Sequence, residues 1–304
     1  MTVIIINPIS GGARRGEARR EAELASAVLA AAGERGDVHV TERKGHAREI
    51  AAAARGRGAR LVVAWGGDGT VNEVASELVF GRTPLGIVPR GSGNGLAREL
   101  GIARGPEQAL TEALGATPRA IDAGELGGRT FVNMAGVGFH AHVASLFDRD
   151  LVGRRGLATY VRISLRELMV YRSAAYRVAD APTGARQGRD DRGSMPFRRA
   201  LVVALANSPQ FGNGARIAPS ARLDDGKLDL VVFEEGSRLA TVLALPRLFI
   251  GGVRGVRGVS MRQVERVTIE SDGPMTFHVD GEPVQGGARL DARVHPAALN
   301  VCVR

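Results

Sequence analysis

The stretch LVVAWGGDGTVNEV, Leu61 to Val74, restricts the fold more than any other part of the chain. Leu61 to Trp65 is a short, continuously apolar run, β-branched in its middle, as expected of a strand buried on both faces of a parallel sheet. Gly66 and Gly67 end it. Glycines allow positive φ and carry no Cβ, so the backbone can turn sharply and bring its N–H groups close to a phosphate. From Thr70 to Phe80 the apolar residues Val71, Val74, Ala75, Leu78 and Val79 recur at helical spacing, which aims a helix N-terminus back at the turn. Thr70 can bond the backbone or a phosphate oxygen. Asp68 is the odd residue, because a carboxylate beside an anion site repels phosphate unless a Mg²⁺ lies between them. For this stretch taken alone, an ordinary Gly-rich βα turn with a solvated Asp is the alternative.

Units of the same kind flank it. Thr2 to Ile6 reads as a strand, Asn7-Pro8-Ile9-Ser10-Gly11-Gly12 as a polar turn, and Arg15 to Ala32 as a helix. Asp37 to Thr41 is a short strand and His46 to Arg55 a helix. Pro84 to Val88 makes a fourth strand, followed by a second Gly-rich turn, Pro89 to Gly95, and the helical Leu96 to Leu100. Alternation of this kind predicts an α/β domain with a doubly wound parallel sheet, whose ligands bind beyond the carboxyl ends of the strands. The Gly-rich turns lie at that edge. Neither completes a Walker A loop, nor GxGxxG after its strand, so this is not an ordinary P-loop or dinucleotide site.

From about Ile121 the pattern changes to short strand-like segments: Thr130 to Asn133, Ala200 to Ala206, Leu228 to Phe233, Arg266 to Glu270, Met275 to Val279, Leu290 to Val294 and Leu299 to Val303. These predict a mainly antiparallel β-sandwich, interrupted by helices over Leu157 to Tyr171 and Leu239 to Ile250. The polar segment Ala181 to Arg199 has no periodicity and reads as a loop. The expected division is an α/β domain over residues 1–120 and a β-sandwich domain over 121–304.

At 304 residues, with 44% hydrophobic and 24% charged side chains, the chain is long enough for two globular domains. Apolar runs such as Leu201 to Ala206 are far shorter than the roughly 18 residues that cross a bilayer. No leader pattern precedes the first strand, and Cys302 is the single cysteine; both suggest a cytoplasmic protein. The net charge of +9 suits nucleic acid, an anionic membrane or an anionic substrate. Of the 41 basic residues only Lys44 and Lys227 are lysines, a bias that genomic composition alone can produce. Aromatics at 4% argue against nucleic acid, whose readers interleave basic clusters with stacking rings.

Asn7-Pro8 with Ser10-Gly11, GGDGTVNE from Gly66 to Glu73, and VPRGSGN from Val88 to Asn94 resemble, in order and spacing, the catalytic domain of the diacylglycerol kinase and sphingosine kinase superfamily, the bacterial lipid kinase branch above all. The resemblance continues through Asn133 to Gly136, Asp224 to Asp229 and Val279 to Glu282. GGDGT alone also occurs in NAD kinases; its combination with GSGN and the late DGE is more specific.

The resemblance implies that ATP lies across the sheet edge and gives its γ-phosphoryl group to a lipid hydroxyl in a cleft between the domains, with diacylglycerol the leading acceptor. It makes Asn7, Pro8, Ile9, Ser10, Gly11, Thr41, Gly66, Gly67, Asp68, Gly69, Thr70, Val71, Asn72 and Ser92 nucleotide contacts. Thr41 is equally a plain strand-end hydroxyl. Asp68 acts through the catalytic Mg²⁺ or the acceptor, and Glu282 is the base, assisted by Asp280; acidic residues in a hairpin turn are the alternative for that pair. Arg222, Asp225 and Lys227 match a structural Mg²⁺ position, against which stands a solvated turn. His140 and His142 have no metal-ligand partners and read as satisfied structural histidines. The chain departs from the family pattern at Gly95 and His140, where related enzymes often carry an acidic residue, which leaves the acceptor open.

Arg154, Arg155, Arg162, Arg166 and Arg172 lie in or beside a helix bearing Leu157, Val161, Leu165, Leu168 and Tyr171, a combination suited to transient contact with an anionic membrane or else to a packed helix with solvated arginines. The expected protein is cytoplasmic and peripherally membrane-associated; a homodimer is left open. The rivals are a kinase for sphingoid bases or other lipid alcohols, an NAD kinase, and a catalytically silent lipid- or nucleotide-binding regulator.

Overall fold

The computed structural model describes residues 1–12, 16–150, 157–180, 196–212, 214–244, 246–250, 253 and 255–304, without side chains at 148–150, 157–160, 239 and 240. Most of the loop expected over 181–199, and Arg15, Arg154 and Arg155, lie outside them. The chain forms two compact units. The first is built on Met1–Asp122 together with Ala297–Arg304, the second on the described residues between them.

The first unit runs β1 (Thr2–Ile6), α1 (Glu17–Ala31), β2 (Gly36–Val40), α2 (His46–Gly56), β3 (Leu61–Gly66), α3 (Asp68–Leu78), β4 (Leu85–Pro89), α4 (Gly95–Glu99) and α5 (Pro106–Gly115). Its strands are parallel in the order β4-β3-β1-β2. Every residue of β1 and β3 is buried. This is why their sequences are continuous apolar runs rather than alternating ones. Ile4, Ile6, Leu61, Val63 and Trp65 pack with Val28 and Leu29 of α1 and Leu110 of α5. Alternate strand residues face the other way. On that side α2 and α3 pack on each other and on the central strands, so the sheet is wound on both faces.

The second unit contains β5 (Pro118–Leu126), which begins in the first, then β6 (Arg129–Phe131), β7 (Met134–Gly138), α6 (Phe139–Asp150), α7 (Leu157–Val170), β8 (Ala174–Asp180), β9 (Arg198–Ala206), β10 (Gln210–Gly212), β11 (Ala215–Arg216), β12 (Leu228–Glu234), α8 (Arg238–Ala244), α9 (Arg247–Ile250), β13 (Val259–Val264), β14 (Arg266–Ser271), β15 (Thr276–Val279), β16 (Glu282–Gln285) and β17 (Arg289–Cys302). Its pairings are antiparallel, with β9 joined to β7, β8 and β12 and β15 to β7 and β16. One core gathers Phe131, Val137, Val203, Leu205, Phe277 and Val279; a second, on the opposite faces of β7 and β9, gathers Met134, Val202, Ala204 and Ile217.

The two strands expected near the C-terminus are one, β17, whose last residues return to the first unit, where Val301 pairs in parallel with Leu85. Pro296, between the two expected segments, has no N–H to give to a ladder. The strand continues because the N–H of Ala297, at φ 50°, donates to the Asp122 carboxylate at 2.8 Å.

Candidate functional site

The carboxyl edge of the parallel sheet is closed by backbone bonds between its loops. Asn7 N–H donates to the carbonyl of Trp65 at 2.9 Å, Arg90 N–H to that of Gly66 at 2.8 Å, and Thr41 N–H to that of Ile6 at 2.8 Å. The Asn7 side chain accepts the Ile9 N–H at 3.1 Å and donates to Thr70 Oγ1 at 2.9 Å, and the Gly67 N–H donates to Ser10 Oγ at 3.3 Å. Asn7 to Ser10, Gly66 to Thr70 and Arg90 therefore form one cluster. Thr70, Val71 and Asn72 are buried in α3, which starts at Asp68, while Ile9, Gly11 and Ser92 are exposed.

Two charged residues brace this edge without any sequence signal that singles them out. Glu73 accepts the N–H groups of Gly45 at 2.9 Å and Arg48 at 3.3 Å, which caps α2 and holds the loop after Thr41. The Arg90 guanidinium pairs with Glu17 at 3.0 Å and with Glu21, tying α1 to the GSGN loop.

The glycines serve a different purpose from the one the sequence suggests. Positive φ in these loops falls on Gly11, Gly12, Gly45 and Asn94, and Gly67 is extended at φ −92°. What the glycines supply is space. A Cβ on Gly91 would lie 2.7 Å from Gly67 Cα, one on Gly93 would lie 2.6 Å from Asp68 Oδ2, and one on Gly11 would lie 2.3 Å from the Arg90 carbonyl oxygen. The loops approach so closely that side chains are excluded.

Asp68 is not a solvated turn residue. Its Oδ2 accepts the Asn94 N–H at 2.9 Å and its Oδ1 the Gly95 N–H at 2.7 Å, so the carboxylate of one loop caps the short helix that follows the other. Burial pushes the Asp68 carboxyl up from its ordinary value, opposed by the Gly95 and Asn94 N–H groups and by the Arg98 charge. Asn94 closes its own turn, accepting the Gly91 N–H at 2.8 Å and donating to the Gly91 carbonyl at 2.7 Å. A phosphate chain fits an edge kept free of Cβ atoms and lined by loop N–H groups. A hard cation fits beside Asp68, whose oxygens keep lone pairs beyond the two N–H bonds.

In the second unit, Asp280 and Gly281 form the two-residue turn of the β15–β16 hairpin, both with positive φ, 47° and 88°, in which Val279 pairs with Glu282. This is the Asp-Gly chemistry such hairpins favour. The buried Asp280 carboxylate accepts three backbone N–H groups, those of Asn133 at 2.9 Å and Met134 at 2.8 Å on Oδ1 and that of Val132 at 2.8 Å on Oδ2. Those bonds give Asp280 an anchoring part. They also explain why the strand expected over Thr130 to Asn133 is interrupted between β6 and β7: these N–H groups meet a carboxylate, not a neighbouring strand. Asn207 reinforces the joint through a 2.9 Å bond from Nδ2 to the Val132 carbonyl. Glu282 is half-buried at the start of β16.

The two histidines of α6 differ. His142 Nε2 lies 3.0 Å from Glu167 of α7, as a satisfied structural histidine should. His140 does not fit that expectation. It is buried, and no described residue bonds either of its ring nitrogens.

In the Asp225 turn Asp224 and Lys227 are exposed and Asp225 itself is half-buried. Its carboxylate accepts the Lys227 N–H at 3.1 Å and the Gln263 side-chain amide at 3.0 Å, while Arg222 pairs with Asp224 at 3.3 Å. Among the described residues no group of three or more His, Cys, Asp or Glu side chains could hold a metal. Arg222 and Lys227 could offer only main-chain oxygens beside Asp225, an all-oxygen donor set that suits a hard, largely hydrated cation. This turn enters none of the chemistry below.

Residues 1–126 match the diacylglycerol kinase catalytic domain, and residues 133–303 match the YegS C-terminal NAD kinase beta sandwich-like domain. "Probable lipid kinase YegS-like" of Pseudomonas aeruginosa is 34% identical over 284 residues, 92% of this chain and 89% of that protein. The protein of the same name from Chromohalobacter salexigens is 32% identical over 250 residues, 81% of this chain and 77% of that protein. The fold is similar to the crystal structure of a diacylglycerol kinase from Bacillus anthracis, with a TM-score of 0.73 at 18% identity, covering 100% of this chain and 96% of that one. The chain is a lipid kinase and belongs to the YegS-like branch of the diacylglycerol kinase family.

Proposed function

We propose that the protein transfers the γ-phosphoryl group of ATP, with Mg²⁺, to the free hydroxyl of diacylglycerol, giving phosphatidic acid and ADP. The observation that carries this reading is the cluster of three loops at the ends of β1, β3 and β4, locked together by Asn7, Asp68 and Arg90 around glycines that exclude side chains. Phosphoryl transfer depends on positioning and charge neutralisation, and preorganised N–H groups provide both without reorganising during the reaction. In this reading the loop over Asn7, Pro8, Ile9, Ser10 and Gly11, Thr41, the turn from Gly66 to Asn72 and Ser92 hold the nucleotide. Asp68 would hold Mg²⁺, which when bound would supply countercharge to the phosphates. Glu282 takes the proton of the acceptor hydroxyl as the new O–P bond forms and the bond to the ADP oxygen breaks. Asp280 fixes the hairpin that carries Glu282.

Diacylglycerol as acceptor is supported by the catalytic-domain family and by the activity named for the Bacillus anthracis neighbour. Incubating the protein with ATP, Mg²⁺ and a mixed lipid extract, followed by mass-resolved detection of phosphorylated products, tests it. Phosphatidic acid as the main product is expected. A phosphorylated sphingoid base or another lipid phosphate would move the acceptor within the lipid class, and phosphorylation of added NAD with no lipid product would overturn the proposal.

The membrane part of the proposal rests on α7, α8 and α9. No helix among the described residues is long and apolar enough to cross a membrane. Val161, Leu165, Met169 and Val170 of α7 are exposed beside Arg162 and Arg166, and Leu243, Phe249 and Ile250 are exposed near Arg238 and Arg247. Leu168 is turned inward, so the apolar stripe expected on α7 is divided between core and surface. Apolar side chains among arginines match an anionic bilayer, from which a diacylglycerol kinase must take its substrate.

A further inference from the structure

Buried next to the Asp280–Gly281 turn are two histidines whose rings the chemistry above does not use. His278 of β15 and His140 in the first turn of α6 meet edge to face, with ring centroids 4.5 Å apart and planes at 86°. No described residue bonds His140 Nδ1, His140 Nε2 or His278 Nε2. Unpaired buried nitrogens cost stability that apolar rings of the same size would not, so a structural role alone accounts poorly for them. The fold makes room for this pair: a Cβ on Gly136 of β7 would lie 2.7 Å from His140 Nε2.

One contact gives the pair a use. The N–H of Gly281 donates to His278 Nδ1 at 3.2 Å. In a two-residue hairpin turn the pairing of the flanking residues leaves this N–H outside the ladder, and the side chain from three residues earlier supplies its acceptor. An imidazole accepts at Nδ1 only when neutral with its proton on Nε2, so the bond selects one tautomer. Burial disfavours a charge on either ring.

We propose that His278 is a positioning residue for Glu282: as the neutral Nε2–H tautomer it accepts the Gly281 N–H, with His140 packed against its ring, and so fixes the turn from which Glu282 starts β16. The turn is then held from two sides, by the Asp280 carboxylate on residues 132–134 and by His278 on Gly281. A reacting group must be held closely by supporting contacts to work, and a hairpin turn free to rock would not hold it. The inference rests on Glu282 being the base.

Two variants and one spectrum test it. His278→Asn keeps an acceptor oxygen near the position of Nδ1, whereas His278→Leu keeps bulk and removes the acceptor. The leucine variant is expected to lose about tenfold or more in kcat with the KM for ATP nearly unchanged, and the asparagine variant to stay within about threefold of wild type. Long-range ¹H–¹⁵N correlation on histidine-labelled wild-type protein near neutral pH is expected to show His278 as the Nε2–H tautomer. Equal losses in the two variants, full activity in a folded leucine variant, or an Nδ1–H tautomer would overturn the proposal. The spectrum keeps it testable if the leucine variant does not fold. Failure of the functional reading is separable: a wild-type protein that phosphorylates no lipid, or a fully active Glu282→Gln, contradicts that reading whatever the His278 variants do.

Discussion

Asp68 Oδ1 accepts the backbone N–H of Gly95 at 2.7 Å, so the residue that opens α3 also fixes the first peptide of α4. With the Asn94 N–H on its other oxygen, Asp68 ties the GGDGT turn to the GSGN loop. An asparagine there has one accepting oxygen and would set its NH₂ against the other N–H. Asp68→Asn is therefore expected to lose about 1–3 kcal/mol of stability yet remain folded. Its turnover should fall by about 10²-fold or more, because preorganised charge beside the phosphates is lost. Thermal unfolding and a lipid phosphorylation assay check both, and near-normal turnover by the folded variant would contradict the part given to this carboxylate.

Asp280 should behave differently. Its carboxylate collects three backbone N–H groups in a buried joint, and Asp280→Asn leaves at least one facing an amide. A stability loss of roughly 1–3 kcal/mol is expected, with a smaller effect on the turnover of the folded fraction than replacement of Glu282 produces. A wild-type midpoint in denaturant for Asp280→Asn would contradict the anchoring part.

The histidine pair sets a pH dependence of stability. Burial lowers His278 from the ordinary 6.5 to about 4, and burial together with the charge of His278 holds His140 well below its ordinary value. Both groups have depressed folded-state values, so the unfolded chain takes up protons before the folded one. Their contribution is fully present above about pH 6.5 and is lost as pH falls toward 4, at up to about 1.4 kcal/mol per pH unit for each ring. The neighbouring elements bring His142, paired with Glu167, from α6, Glu282 from β16 and no charged residue from β7. Urea unfolding between about pH 7 and 5 should show a shallower slope for His140→Phe with His278→Asn than for wild type; equal slopes would contradict it.

The architecture was legible where a physical pattern was strong. Continuous apolar strands ending in glycine identified the parallel sheet, and β1 and β3 are buried along their whole length. Some elements were missed, among them β8, β13, α6, whose first turn carries His140, and α5, although its buried Ala109, Leu110, Ala113 and Leu114 recur at helical spacing behind Pro106. At the site, motif residues could be named but their bonding could not. Asp68 looked like a carboxylate in want of a cation because its partners, Asn94 and Gly95, lie in another loop. The bonds from residues 132–134 to Asp280 span 146 to 148 positions. Glu73, Arg90 and Asn207 also act through partners remote in sequence, 28, 69 and 75 positions away. Local spacing carries no information about such contacts.

The proposed membrane contact rests on the exposed apolar and basic side chains of α7, α8 and α9. Vesicle sedimentation should show binding that requires anionic lipid and weakens with salt, since screening shortens the reach of the arginines. Replacing Phe249 and Ile250, both more than half exposed, by serine should weaken binding without altering the fold. Equal binding to neutral vesicles, or no binding, would remove this surface from the proposal.

The central claim is that Glu282 takes the proton of a lipid hydroxyl. A positioned carboxylate contributes about 10² to 10⁴ in rate, and its loss should appear in the chemical step rather than in nucleotide binding. Glu282→Gln keeps the shape and removes the basicity. The deciding measurement is its single-turnover rate of lipid phosphorylation, taken with ATP affinity and thermal midpoint on the same sample. A rate lower by at least about 10²-fold, with affinity and midpoint near wild type, is the predicted result; an unchanged rate would contradict the account.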